Sequence, residues 1–179
     1  MDTTRPPETD VLDGIVQDVH DLYPGLEVIG LPIIGRVLRL ARYLESRREE
    51  QLGQYGLTVA DFDVLATMRR QAGDTAINVR ELQRSMMLSS GGTTKRLDRL
   101  EQAGHIERLP DPHDRRGVLI RLTSSGLELI DGIIPEVTRA ENDVVGDAID
   151  SNEDRKRVAD ALRRLLLTQE KVESGSANE

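Results

Sequence analysis

Residues 89–123 read SSGGTTKRLDRLEQAGHIERLPDPHDRRGVLIRLT, and the spacing of the apolar residues changes within this segment. Up to Gly104 the apolar residues recur at the spacing of an α-helix. After Gly104 apolar and polar residues alternate, which predicts β-strands at residues 105–109 and 118–122. The segment therefore predicts a helix followed by a two-stranded hairpin with a long, charged tip.

The residues before this segment predict further helices. Thr58 and Asp61 form a capping box, which opens a helix to about residue 70. Asn78 is a second start signal and opens a short helix, while Ser89 and Ser90 can cap the next one. Two short helices joined by a serine-rich turn and followed by a hairpin form a winged helix-turn-helix.

Longer amphipathic helices are predicted on both sides. A short helix should run from Val11 until the break at residues 23–25, and a long one from about Leu31 to Leu52. Thr123 should cap a helix that continues to about residue 149, and Pro135 inside it is expected to kink or divide it. A last helix should open at residue 151. Together these patterns predict a mainly α protein.

Charge is unevenly distributed along the chain. The 179 residues carry 24 basic and 32 acidic side chains, a formal net charge of -8. Residues 79–121 hold nine basic and six acidic residues, a net charge of +3, whereas the rest holds 15 basic and 26 acidic residues, a net charge of -11. Because local charge governs contact with nucleic acid, this basic segment is the candidate DNA-binding surface.

Composition excludes several classes of site. The chain has no cysteine, so it has no disulfide, thiolate zinc site or cysteine nucleophile. Its three histidines, His20, His105 and His113, lie in separate predicted elements and lack metal-ligand spacing. No apolar run is long enough to span a membrane, so we expect a cytoplasmic protein without membrane contact. We also expect no enzymatic activity, no cofactor and no metal.

The helix after Ser89 suits the major groove of DNA, because small residues at its start allow close approach. Its backbone N–H groups at Ser90 and Gly91 can hold a phosphate, and nearby hydroxyls add donors. Arginines at the hairpin tip suit the negative potential of a narrow minor groove. The predicted DNA contacts are Ser89, Ser90, Gly91, Thr93, Thr94, Lys95, Arg99, Asp114, Arg115 and Arg116.

Residues 87–104, continued by residues 111–118 and by Leu122-Thr123, closely resemble the MarR family of dimeric transcriptional regulators. The resemblance covers about residues 34–166. It implies that Arg116 enters the minor groove and that Asp114 positions the wing. It also implies a homodimer that faces a pseudo-palindromic operator in double-stranded DNA.

With this resemblance, the fold class is a winged helix-turn-helix with N- and C-terminal dimerisation helices. The predicted boundaries are residues 1–10 for a flexible N-terminus, 11–57 for N-terminal dimerisation helices, 58–123 for the DNA-binding domain, 124–172 for C-terminal dimerisation helices and 173–179 for a flexible tail.

The phrase DFDVLAT at residues 61–67 resembles the urate-responsive branch of the family. The ligand residues of that branch map onto Asp63, Arg96 and Arg108. Two guanidiniums can hold a planar anion while a carboxylate receives a ring N–H. The branch has an N-terminal tryptophan that this chain lacks, so either Tyr23 substitutes or the ligand differs, which leaves other aromatic or organic acids open.

A purely structural role is the alternative to ligand binding for two of these residues. Arg96 and Arg108 could pair with Asp63, Asp98 or Glu107 in a structural network instead of binding a ligand.

The leading functional hypothesis is a repressor that a small anionic ligand releases from its operator. The alternative is a winged-helix adapter that binds proteins and no longer contacts DNA.

Overall fold

The computed structural model describes residues 9–86, 90–114 and 117–176. The chain divides into two compact units, Met1–Val64 and Leu65–Glu179. In chain order, the elements within the described ranges are α1 (Val11–Leu22), α2 (Leu31–Gly53), α3 (Val59–Ala72), β1 (Ile77–Asn78), α4 (Val79–Met86), α5 (Ser90–Gln102), β2 (Ile106–Pro110), β3 (Val118–Leu122), α6 (Ser124–Ala148) and α7 (Asn152–Ser176).

In the first unit, α1 begins with a capping box. The Asp10 carboxylate accepts from the backbone N–H of Leu12 and Asp13, and the Asp13 carboxylate accepts from the backbone N–H of Asp10. Asp10 was predicted to belong to a flexible terminus, but here it is the N-cap. Arg36 on α2 donates to both carboxylates, at 2.9 Å and 2.7 Å. Its hydrogen bond lowers the pKa of Asp10. These contacts hold α1 against α2.

The predicted start of α3 is confirmed in its details. The Thr58 hydroxyl accepts from the backbone N–H of Asp61, while the Asp61 carboxylate accepts from the backbone N–H of Thr58 at 2.9 Å. Asp61 is only 1% exposed. The capping box therefore satisfies a buried carboxylate and the first N–H groups of the helix together.

In the second unit, α4 and α5 pack on a three-stranded antiparallel sheet of order β1-β3-β2. The hairpin pairs Ile106 with Leu122 and Pro110 with Val118, which confirms the predicted wing. Strand β1 was not predicted, because a strand of two residues is too short to show a period. It places Ile77 opposite Ile120.

Helix α6 continues through Pro135 from Ser124 to Ala148, so of the two predicted outcomes, a kink or a division, the division does not occur. Ile130, Ile133 and Val137 are buried around the proline. Their packing offsets the lost hydrogen bond of a proline inside a helix. Helix α7 continues to Ser176, past the predicted start of the tail at residue 173. It does so because extending a formed helix is easier than starting one.

A tight junction fixes the start of α6 against the end of α5 and the start of the wing. The Thr123 hydroxyl donates to the Gly104 carbonyl at 2.6 Å and accepts from the Gly126 N–H at 3.0 Å. The Thr123 N–H donates to the His105 carbonyl at 3.0 Å. A Cβ at Gly126 would lie 1.9 Å from that carbonyl oxygen. Position 126 therefore needs glycine.

We predict that Gly126→Ala lowers the free energy of unfolding by about 3 kcal/mol, because the new methyl group must displace backbone. Gly132→Ala, in the same helix with nothing within 4 Å of the new Cβ, should instead be neutral or gain about 0.5–1 kcal/mol. Urea unfolding of the two variants measures this. Equal stabilities would show that the junction is not tight.

Candidate nucleic-acid interface

One stripe of α5 is buried and fixes the orientation of the helix. Thr93, Leu97 and Leu100 are 0%, 2% and 1% exposed. Thr93 was predicted to contact DNA, but its buried side chain cannot reach a partner outside the protein. It shares the stripe with the two leucines because residues four and seven apart lie on the same side of a helix.

The opposite side of α5 is polar and accessible. Thr94, Lys95 and Arg99 are exposed, and we call these three residues the recognition face. They all belong to the predicted DNA-contacting set. Ser90 and Gly91 lie in the first turn of α5, and Ser89 lies outside the described residues.

The wing tip is organised by the Asp111 carboxylate. It accepts from the backbone N–H of His113 at 2.9 Å and of Asp114 at 3.3 Å. The hydrogen bond from His113 makes the largest contribution to lowering the pKa of Asp111. The Gly117 N–H donates to the Asp114 carbonyl at 2.8 Å. Asp114 thus takes part in the turn through its backbone.

Two predicted DNA contacts, Arg115 and Arg116, lie between the described residues Asp114 and Gly117 and outside the described ranges. Their place in the chain is the connection between β2 and β3.

Arg108 on β2 is engaged by two carboxylates of α5. It donates to Asp98 at 2.7 Å and also to Glu101. Burial opposes the charged guanidinium, but the hydrogen bonds with Asp98 and Glu101 outweigh it and raise the pKa of Arg108. These contacts tie α5 to the wing, as the structural-network interpretation expects of Arg108.

Arg96 and Arg108 have different surroundings in the structure. The Arg96 guanidinium lies beside Gly92, and its Nη1 atom is buried with no hydrogen-bond partner in the described part of the chain. At about 100° per residue, Arg96 points about 170° away from the Asp98–Glu101 side that holds Arg108. Asp63 lies half-buried in the first unit.

A pocket of about 270 Å³ opens between α4, α5 and the wing. Its volume lies just below the roughly 300–1,000 Å³ that is typical of ligand sites. Arg80 and Asn78 were not predicted to be site residues. The one feature of the sequence that could have located them is the helix cap at Asn78, which places Arg80 in the first turn of α4. The lining residues are Asn78, Val79, Arg80, Thr94, Leu97, Arg108, Asp114, Gly117 and Val118.

Arg80 and Arg108 give this pocket its positive charge. Among the described residues Arg80 has no ion pair, whereas Arg108 is already held by two carboxylates. Arg80 is therefore the guanidinium whose charge an anion in the pocket would meet.

The described residues hold no group of three histidine or acidic side chains placed to bind a metal ion. None of the described helices has the length and apolar composition to cross a membrane.

Comparison with known proteins gives consistent matches. The MarR family profile matches residues 55–117. The transcriptional regulator PecS of Dickeya dadantii is 35% identical over 131 residues, which cover 73% of this chain and 79% of the relative. The multiple antibiotic resistance protein MarR of Escherichia coli is 37% identical over 94 residues, 52% of this chain and 63% of the relative.

A solved structure of a mutant MarR from Escherichia coli complexed with operator DNA shares the fold. It superimposes on this chain with a TM-score of 0.65, and the sequence identity is 24%. The match covers 88% of this chain and 99% of that chain.

Proposed function

The chain belongs to the MarR family, and from this premise we propose that it is a homodimeric transcriptional regulator that binds DNA through α5 and the wing. The observation that carries this proposal is the exposed recognition face on the rigidly packed α5. The matched relatives are transcriptional regulators rather than enzymes.

The recognition face suits the major groove. An α-helix fits that groove, and a lysine or arginine there can contact guanine or phosphate. Thr94 adds a hydroxyl beside Lys95. The related Escherichia coli structure is complexed with operator DNA, which supports operator binding by this chain. Operator binding would place the protein with the chromosome, in the cytoplasm.

The wing completes the proposed interface. The Asp111 carboxylate accepts from the Asp114 N–H, and the Asp114 carbonyl accepts from the Gly117 N–H. The family resemblance assigns Arg116 to the minor groove, where a guanidinium meets enhanced negative potential. Arg115 would then contact the neighbouring phosphates.

The proposed dimer would cover apolar surface that one chain leaves exposed. Ile34 and Leu38 on α2 are 46% and 59% exposed, and Leu162 and Leu166 on α7 are 45% and 58% exposed. The residues of each pair are four apart and so share one face of their helix. Side chains of this kind clustered on helices mark interaction surfaces. A two-fold dimer would present two α5 helices to half-sites about 34 Å apart. Such an operator is pseudo-palindromic.

The proposed effector is a small planar anion, such as urate or an aromatic or organic acid, in the pocket beside α5. We retain Arg108 from the predicted ligand set and replace Arg96 by Arg80, since only the latter lines the pocket with Arg108. Asp63 lies in the other unit and is left out of this site. A ligand that contacts α4, α5 and the wing together would favour one arrangement of them and so release the operator.

Operator binding is tested by fluorescence anisotropy with DNA from upstream of the protein's own gene. Affinity should fall as salt rises, because bound lysines and arginines displace counterions from DNA. Lys95→Ala should weaken binding about tenfold and reduce the salt slope by about one. Lys156→Ala, on the exposed surface of α7, should bind like the wild type. If the wild type binds no DNA, the adapter hypothesis replaces this one.

The effector site is tested by thermal-shift measurements with urate, xanthine, trans-aconitate and salicylate. Arg80→Gln should weaken the best of these ligands about tenfold, because it removes a charged hydrogen-bond donor. Arg84→Gln removes a charge from the next turn of α4, outside the pocket, and should leave the shift intact. A full shift in Arg80→Gln would refute the pocket, and no shift from any of the four would refute the ligand class.

A further inference from the structure

We propose that Asn78 and Asp111 form a latch that sets the position of the wing relative to the helix-turn-helix. The role of the latch in operator affinity rests on the proposed function, whereas its role in ordering the wing does not. Asn78 and Asp111 are positioning residues, since neither belongs to the predicted DNA-contacting set.

The Asn78 side chain uses both ends of its amide. Its Oδ1 atom accepts from the backbone N–H of Arg80 at 2.9 Å, which caps the start of α4. Its Nδ2 atom donates to Asp111 Oδ2 at 3.4 Å. The backbone of Asn78 lies opposite Leu119 in the sheet. One residue thus joins the first helix of the motif to the wing.

The Asp111 carboxylate likewise serves two partners. Its Oδ1 atom holds the N–H groups of His113 and Asp114 in the wing turn, and its Oδ2 atom receives Asn78. The carboxylate that accepts from the N–H groups of the turn therefore also accepts from the Asn78 side chain. A shift of Asp111 would move the turn with it.

Gly117 lies close against the carboxylate. A Cβ at this position would lie 2.9 Å from both the Cβ and the Oδ2 atoms of Asp111. The carboxylate is therefore packed against the backbone of Gly117 as well as hydrogen-bonded to Asn78.

The latch acts where the sheet ends. The ladder between β2 and β3 ends at the pair Pro110 and Val118. Beyond that pair, the described residues of the tip are ordered by the Asp111 contacts and by the Gly117–Asp114 hydrogen bond. Positions 115 and 116 follow Asp114 directly in the chain.

Exchanging the amide and the carboxylate between positions 78 and 111 tests the latch. Asn78→Asp keeps the cap on α4, because aspartate is also a good N-cap, but it sets two carboxylates against each other. Adding Asp111→Asn restores the pair in reverse, with the new amide donating to the new carboxylate. The amide oxygen of the asparagine can still accept from His113 and Asp114. Asn78→Ser also keeps the cap but is too short to reach Asp111.

Amide hydrogen exchange at Asp114 and Gly117 is the primary measurement. We expect faster exchange in Asn78→Asp and Asn78→Ser, and near wild-type exchange in the double variant. Operator affinity should follow the same order, with a loss of about tenfold in Asn78→Asp that the double variant recovers. Unchanged thermal midpoints would show that the variants fold.

Two results would overturn the latch: a double variant that exchanges as fast as Asn78→Asp, or a serine variant that exchanges like the wild type. The second result would show that Asn78 serves only as the cap of α4. A wild type that binds no operator while the exchange rates follow the expected order would refute the proposed function and leave the latch supported.

Discussion

Burial of one stripe of α5 is the constraint on which the rest of the interface depends. Leu97 and Leu100 are packed into the core of the second unit, so α5 cannot rotate without exposing them. This fixes the recognition face on the opposite side of the helix. Arg108 reinforces the orientation through Asp98 and Glu101. Packing thus determines which side chains a partner meets.

The acidic composition of the chain and its proposed affinity for DNA are compatible because the charges are separated. Several arginines away from the recognition face are paired with carboxylates, such as Arg36 with Asp10 and Arg69 with Asp131. The hydrogen bond from Asp131 raises the pKa of Arg69. Lys95, in contrast, has no ion pair among the described residues. The positive charge that matters for DNA is therefore local.

Sequence patterns predicted what depends on short-range spacing. The capping box at Thr58 and the wing strands follow from hydrogen bonding and side-chain alternation between near neighbours. Contacts between residues far apart in the chain could not be predicted from such patterns. The latch joins residues 78 and 111, and the burial of Thr93 depends on how α5 packs. A division at Pro135, one of its two predicted effects, does not occur because the packing around it stabilises a continuous helix. The assignment of Arg96 and Arg108 to one ligand site came from resemblance alone, and of the two only Arg108 lines the pocket.

Crosslinking to DNA tests most directly whether the recognition face enters the major groove. Because the chain has no cysteine, Thr94→Cys would carry the only thiol and could form a disulfide with a thiol-tethered base in the operator. The account predicts efficient crosslinking to bases of each half-site, and none from Thr168→Cys on α7. Failure of Thr94→Cys to crosslink with an operator that the protein binds, or equal crosslinking from both positions, would contradict it.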